Sequence, residues 1–122
     1  LKHLEKWLER RREIARLYGK LLEGSSVQTP SELEGTRHVY TYYVIRTPRR
    51  EAVQNALSEA NIDTVIHYPV PLHLQPACKG LGYCRGDFPV AEGEASRILS
   101  LPLFPELEEA QIQRIVACVR EA

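Results

Sequence analysis

Residues 67–76, which read HYPVPLHLQP, form the stretch of this chain best equipped for chemistry. They place two histidines, a tyrosine and three prolines where a predicted β-strand ends. An imidazole changes its charge at about pH 6.5, and it can bind phosphate, accept a proton or ligate a metal. Proline fixes the backbone angle φ, so these groups would be presented in a restricted geometry. The stretch indicates a candidate site, and a hydrogen-bonded structural role for its histidines is the alternative.

A zinc site is another interpretation of this stretch, because His67, His73, Cys78 and Cys84 are all possible ligands. The two histidines have five residues between them, and so do the two cysteines. That spacing is at the limit for histidines and wider than the usual two to about four residues for cysteines. A cysteine nucleophile would need a neighbouring imidazole, which nothing in the local sequence supports. We therefore expect no bound metal.

A predicted strand over residues 38–46 carries the second group of candidate side chains. Alternate residues of a strand point to the same face of a sheet. His38, Tyr40 and Tyr42 would then share one face, with Tyr43 on the other. This row of polar aromatic rings could line a cleft, and packing in a core or an interface is the alternative.

The other elements follow from apolar periodicity and turn residues. Their order predicts an α+β fold, a two-layer α/β sandwich in which a small sheet is covered by helices. The predicted elements are a long helix over residues 1–23, a helix over 48–60 with Thr47 as N-cap, a strand over 62–68, helices over 72–81 and 88–99, an extended crossing at 101–105, and a final helix over 108–121 that buries Ile112, Ile115, Val116 and Val119.

Composition favours one domain over residues 1–122, since the chain is 43% hydrophobic and 26% charged, as globular domains usually are. Sixteen basic and sixteen acidic side chains cancel, so a nucleic-acid or anionic membrane partner is not expected. The basic clusters at 9–13 and 46–50 are predicted to be a solvated helix face and a loop. The chain starts at Leu1 and contains no methionine, so we expect it to be a piece of a longer protein.

The three cysteines are an odd number and lack the spacing of a disulfide framework. Disulfides are typical of oxidising compartments, so this pattern favours a reducing one. No apolar run approaches the roughly 18 residues that a membrane span needs, and no signal peptide is recognisable. The sequence therefore predicts a cytoplasmic protein outside the membrane.

Several blocks together resemble the DegT/DnrJ/StrS family of aminotransferases. The resemblance spans nearly the whole chain, and its most specific parts are HYPVPLHLQP at 67–76, FPVAE at 88–92 and LSLPLFP at 99–105. Weaker blocks lie at residues 11–15, 38–40, 43–46 and 81–83. The part of the family that the chain resembles is the C-terminal small domain, which implies a mainly antiparallel sheet.

The resemblance also implies an activity for the intact enzymes. Members of the family are homodimers that use pyridoxal phosphate (PLP) to move an amino group, commonly from glutamate, to a keto group on a nucleotide-linked sugar. Transimination needs a lysine on the cofactor, and no lysine here stands in the family's Ser-His-Lys setting. We therefore expect neither PLP binding nor catalysis from this chain alone, whose lysines are Lys2, Lys6, Lys20 and Lys79.

For the site, the resemblance implies that His67 and Tyr68 face the nucleotide sugar or the cofactor region. His73, His38 and Tyr40 are secondary candidates for substrate binding. Surfaces that would face the large domain leave apolar area exposed, which favours self-association, so a homo-oligomer is expected. The alternative function is a stand-alone, non-enzymatic binding or oligomerisation module derived from such a domain.

Overall fold

The computed structural model describes all 122 residues and contains four α-helices and two short β-strands. The helices and strands alternate irregularly along the chain, and two stretches of 3-10 helix lie between the second and third helices. In chain order the elements are α1 (Leu4–Leu21), β1 (Tyr43–Arg46), α2 (Arg50–Glu59), the 3-10 stretches Leu72–Leu74 and Pro76–Leu81, α3 (Pro89–Arg97), β2 (Ile98–Leu101) and α4 (Glu109–Glu121).

The two strands pair antiparallel, with Tyr43 opposite Leu101 and the register running on to Arg46 opposite Ile98. A single bridge joins Val65 to Ser100 of β2. The backbone of residue 100 therefore contributes to two pairings. The α+β fold with a small antiparallel sheet covered by helices is confirmed.

One hydrophobic core of 18 buried residues holds the helices on the strand pair. Helix α4 packs against both α1 and α2, and its predicted apolar stripe is buried. In the core the ring of Tyr18 stacks on Tyr43, with ring centroids 4.8 Å apart, and its hydroxyl donates a hydrogen bond of 2.9 Å to the carbonyl of Pro102. Because burial disfavours the phenolate, the pKa of Tyr18 is raised above its usual value.

Helix α1 ends close to its predicted end, and Gly24 beyond it adopts a positive φ of 72°. Its buried residues all lie in its second half, where Ile14 and Tyr18 enter the core. Its first half instead leaves Leu4 and Trp7 exposed. Helix α1 is therefore amphipathic as predicted, but only part of its apolar stripe is covered.

The predicted solvated face around residues 9–13 is wrong for its arginines. The Arg10 Nη2 donates a 3.0 Å hydrogen bond to the carbonyl of Leu107, and the Arg12 Nη1 donates one of 2.8 Å to the carbonyl of His38. Both carbonyls belong to segments outside helices and strands, where no ladder partner is available. The guanidinium groups supply the missing donors, because polar backbone groups that leave water need a partner.

The strand predicted over residues 38–46 forms only from Tyr43 onward. Tyr40 has a positive φ of 46°, which interrupts the side-chain alternation of an extended strand. Its N–H donates to the Nδ1 of His38 at 2.8 Å instead of to a neighbouring strand. The predicted shared face of His38, Tyr40 and Tyr42 is therefore wrong, since Tyr40 is buried and Tyr42 is half exposed.

The strand predicted over residues 62–68 is reduced to the bridge at Val65. Asn61, which follows α2, has a positive φ of 56°, as residues just after a helix often do. The N–H of Ser100 donates to the carbonyl of Val65 at 2.8 Å, and the reverse bond is 3.4 Å long. The neighbouring residues make no further ladder bonds, so their β-propensity alone does not produce a strand.

Three other boundaries differ from prediction. Thr47 is not the N-cap of α2, because its Oγ1 accepts the N–H of Arg49 in a turn and the helix begins at Arg50. Residues 72–81 form 3-10 rather than α-helical turns. The helix predicted over residues 88–99 ends at Arg97. Strand β2 follows at once from Ile98, whereas the extended segment was predicted to begin at residue 101. The final helix begins within one residue of its predicted start, with Glu108 in a capping box.

No helix of the structure combines the length and the apolar character needed to cross a membrane.

Truncation of Ile112 to alanine is expected to destabilise the fold strongly. Ile112 lies in α4 and is fully buried, and removal of a buried aliphatic side chain to alanine costs about 2–5 kcal/mol. Leu33→Ala is the matched control, because Leu33 is 74% exposed and surface changes stay within about 0.5 kcal/mol. Denaturant unfolding followed by circular dichroism measures both. Equal losses in the two variants would contradict the assignment of the core.

Candidate functional site

His67 lies in an open groove with a volume of about 300 Å³. One wall is formed by residues 41–42, which lead into β1, and the adjoining wall by residues 100–103, which include the end of β2. Residues 63–65, joined to β2 by the bridge at Val65, line the groove beside the histidine. The groove is thus built where the strand pair ends.

Two contacts fix the imidazole of His67. Its Nδ1 is 3.0 Å from the Oγ of Ser100, and its ring stacks on Tyr42 with centroids 4.0 Å apart and planes at 27°. Ser100 is buried, whereas half of Tyr42 is exposed. Because Nδ1 is occupied by the serine hydroxyl, Nε2 is the ring nitrogen left for a ligand. The ring is therefore held in one orientation with one nitrogen available.

Tyr68 stands beside this histidine. The peptide bond between the two residues is cis, and their rings meet edge to face with centroids 5.7 Å apart. The Tyr68 side chain is 68% exposed, and its hydroxyl makes no hydrogen bond within the chain. The structure thus brings His67 and Tyr68 together at the surface, with a phenol free to donate or accept a hydrogen bond.

Of the two residues that fix the His67 ring, Ser100 was not predicted as a site residue, whereas Tyr42 belonged to the aromatic row that could line a cleft. Its neighbour in that row, Tyr40, lies in the core instead. Ser100 left a usable signal, since it is a lone polar residue between the buried Leu99 and Leu101. A buried hydroxyl needs a hydrogen-bond partner, and that requirement points to a nearby polar group such as His67.

His38 and Tyr40 lie elsewhere. The Tyr40 ring is buried 6.2 Å from the ring of Tyr43, and His38 packs against Tyr40 with centroids 4.2 Å apart. The N–H of His38 donates a 2.6 Å hydrogen bond to Glu32. A hydrogen bond from the Arg12 guanidinium, reinforced by the His38 N–H, lowers the pKa of the Glu32 carboxyl. These two predicted site residues shape the loop before β1 and do not line the groove.

His73 is also separate from the groove. Its Nε2 is 3.0 Å from the Oε1 of Glu92, and the Glu92 oxygen also accepts the N–H of Gly86 at 2.8 Å. The His73 ring packs on Phe88, with centroids 4.7 Å apart. The side chains of His73 and Glu92 are only 7% and 13% exposed. The contact therefore joins the 3-10 segment to α3, and His73 lines a separate, mostly apolar pocket rather than the groove.

The alternative chemistries gain no support from the geometry. No group of three or more histidine, cysteine, aspartate or glutamate side chains is arranged to hold a metal ion. The three cysteines are free thiols. The negative charge of Asp87 raises the pKa of the Cys84 thiol, which disfavours the thiolate that a nucleophile requires.

Glu92→Gln is expected to reduce stability at neutral pH and to make it less sensitive to acid. Hydrogen bonds from the Gly86 N–H and from His73 lower the pKa of Glu92 in the folded chain. A carboxyl group whose pKa is lower in the folded than in the unfolded chain stabilises the fold at pH values above its unfolded pKa of about 4.3. This stabilisation is lost as the pH falls through the folded pKa. Thermal unfolding between neutral pH and pH 3 should show the gap to the unmutated chain closing on acidification.

The control for this titration is Glu106→Gln, because Glu106 is exposed and makes no ion pair or side-chain hydrogen bond. It should unfold like the unmutated chain at every pH. A gap between Glu92→Gln and the unmutated chain that stays constant down to pH 3 would contradict the role of the carboxylate charge.

Comparison with known proteins gives matches along nearly the whole chain. The 122-residue chain is 48% identical to a pleiotropic regulatory protein of Geobacillus stearothermophilus, covering 98% of this chain and 33% of that protein. It is 39% identical to dTDP-3-amino-3,4,6-trideoxy-alpha-D-glucose transaminase of Streptomyces venezuelae, covering 99% of this chain and 32% of that protein. The chain thus spans about a third of the length of these relatives.

Solved structures agree with the fold. The crystal structure of S. venezuelae DesV in complex with a ketimine intermediate superimposes with a TM-score of 0.95 at 39% identity, over 99% of this chain and 33% of that one. An aminotransferase from Brucella abortus gives a TM-score of 0.91 at 38% identity, over 99% and 32% of the two chains. The model of the DegT/DnrJ/EryC1/StrS aminotransferase family matches residues 1–120, and the chain therefore belongs to the DegT/DnrJ/EryC1/StrS aminotransferase family.

Proposed function

We propose that this chain is the small domain of a PLP-dependent sugar aminotransferase and that its groove forms the substrate side of the active site. The observation that carries the proposal is an oriented His67 in the lining of an open groove, with the exposed Tyr68 next to it outside that lining. Relatives of the chain are named as transaminases of dTDP-linked amino sugars. The intact protein would transfer an amino group, from glutamate, to a keto group on a nucleotide-linked sugar.

The residues of this chain do not by themselves fit PLP. All four of its lysines are exposed, and none lines the groove around His67. A Schiff base to the cofactor requires such a lysine. We therefore propose that PLP is bound by other parts of a longer polypeptide, in which this chain is one domain, residues 1–122. The span of about a third of the relatives' length supports this arrangement.

The groove side chains suit a polar, hydroxyl-rich ligand. With Nδ1 of His67 at Ser100, its Nε2 can donate a hydrogen bond to, or accept one from, a sugar hydroxyl or a phosphate oxygen. The Tyr68 hydroxyl can do the same. We assign both residues to binding and orientation of the sugar nucleotide. His73, His38 and Tyr40 are assigned to structural roles, because their rings are held by protein partners.

The test begins with the natural protein purified from its source. Its intact mass should exceed the 13.9 kDa of this chain, and it should show a lysine-linked PLP absorbance band that changes on addition of glutamate. In that protein His67→Asn should raise the KM for the keto sugar about 3- to 10-fold, as expected for loss of a hydrogen bond of about 1 kcal/mol. The glutamate half-reaction should change much less.

His3→Asn is the matched control, because His3 is an exposed histidine at the start of α1 whose ring contacts Trp7 and not the groove. A mass of 13.9 kDa without a PLP band would overturn the proposal in favour of the stand-alone module. A KM for the keto sugar that is the same in His67→Asn and His3→Asn would overturn the assignment of the groove.

We also propose that the chain associates with itself and that it works in the cytoplasm. Exposed apolar side chains support an interface, among them Leu72, Leu81, Phe88 and Val90, since soluble monomers rarely expose large apolar patches. Three free cysteines are compatible with a reducing compartment. Light scattering of the isolated chain at rising concentration should give a dimer or a larger species, and a monomer at the highest concentration would contradict self-association.

A further inference from the structure

Arg11 of α1 contacts the backbone of two segments that are far apart in sequence. Its Nη1 lies 3.1 Å from the carbonyl oxygen of Tyr40, 3.4 Å from that of Thr41 and 3.2 Å from that of Leu103. Residue 103 is 92 positions away from Arg11 along the chain. One guanidinium nitrogen therefore joins the segment before β1 to the segment after β2.

These two segments contribute adjoining walls to the groove around His67. Residues 41–42 form one wall and residues 100–103 form the other. Both lie outside the paired part of the sheet apart from Ser100 and Leu101, so ladder hydrogen bonds do not hold the rest of the walls together. Arg11 is the side chain that donates hydrogen bonds to both.

The contact bears directly on the histidine. Tyr42 follows Thr41, whose carbonyl accepts from Arg11, and the Tyr42 ring stacks on His67 at 4.0 Å. The other contact of the imidazole is with Ser100 of β2, which pairs with Val44 of β1. The ladder therefore fixes the backbone only from Tyr43 onward, and the course of the chain before β1 determines where the Tyr42 ring lies.

The neighbouring arginines do not share this arrangement. Arg10 donates to the carbonyls of Pro105 at 3.3 Å and Leu107 at 3.0 Å, and neither residue lines the groove. Arg12 pairs with Glu32 and donates to the carbonyl of His38, again away from the groove. Of the three, only Arg11 bonds a residue of each wall.

We propose that Arg11 is a positioning residue of the candidate site: it ties the segment before β1 to the segment after β2 and thereby holds Tyr42 against His67. Arginine suits this role because its long side chain carries a terminal nitrogen, Nη1, whose N–H groups reach the carbonyls of both segments. The significance of the role for substrate binding rests on the proposed function. The positioning itself does not, since it concerns contacts within this chain.

The test compares Arg11→Met with Arg10→Met in the 122-residue chain. Both substitutions introduce an unbranched apolar side chain and remove hydrogen bonds to backbone carbonyls. A merely structural role of the two arginines therefore predicts the same outcome for both variants. Nuclear magnetic resonance reports on the rings without any ligand. Arg11→Met should lose the Overhauser contacts between the rings of Tyr42 and His67 and the ring-current shifts of the His67 protons. Arg10→Met should keep both, even where its melting temperature falls equally.

The proposal is overturned if Arg11→Met keeps the ring contacts, or if Arg10→Met loses them to the same extent. Circular dichroism establishes first that each variant is folded. Should Arg11→Met not fold, Arg11→Lys decides, because it keeps the positive charge but its nitrogen is one bond closer to the backbone and is expected to reach only one wall. It should fold and lose the ring contacts, and their full retention in Arg11→Lys would overturn the proposal.

The same variants separate this proposal from the proposed function. In the longer natural protein, Arg11→Met should raise the KM for the keto sugar by a factor similar to that of His67→Asn, with little effect from Arg10→Met. If His67→Asn leaves that KM unchanged, the function assigned to the groove fails. The ring contacts of the isolated chain then still decide whether Arg11 positions Tyr42.

Discussion

The pairing of β1 with β2 is the constraint on which the rest of the structure depends. It joins residues 43–46 to residues 98–101, and a two-stranded pair is at best marginally stable on its own. Helices α1, α2 and α4 therefore have to cover it, and the buried ring of Tyr18 lies against Tyr43 at the start of β1. The groove exists because the chain leaves this pair at one end, where Ser100 bonds Val65 through its backbone and contacts His67 through its hydroxyl.

Helices were predictable from the sequence to a greater extent than strands, for a physical reason. An amphipathic helix forms its hydrogen bonds within a local segment, so its apolar period identifies it, as in α1 and α4. A strand needs a partner, and β-propensity does not reveal whether one exists. Residues 38–42 are rich in aromatic and β-branched side chains, yet Tyr40 turns to a positive φ and bonds His38 locally. The extent of pairing, set by distant residues, decides where a strand begins.

The residues of the candidate site also differ in how far the sequence alone identifies them. His67 and Tyr68 were identifiable, because their residue types and the adjacent prolines mark a site, and the family resemblance adds a role for them. Ser100 was marked only as a lone polar residue in an apolar run, since it lies 33 positions from His67 and only the fold brings their side chains together. His73 looked equivalent to His67 in sequence, but its imidazole contacts Glu92 and does not line the groove. Residue type indicates what a side chain can do, and the partners that the fold supplies determine which use is realised.

The arginines of α1 likewise depend on the partners that the fold supplies. A run of arginines flanked by glutamates is typical of a solvated helix face, and Arg16, paired with Glu9 at the surface, fits that pattern. Arg10 and Arg11 differ because segments without secondary structure pass over α1 and carry carbonyls that no strand or helix satisfies. The walls of the groove around His67 are irregular beyond the strand pair, and their backbone carbonyls need donors from elsewhere. The groove and the arginine that spans it are therefore two results of the same shortage of backbone partners where the strand pair ends.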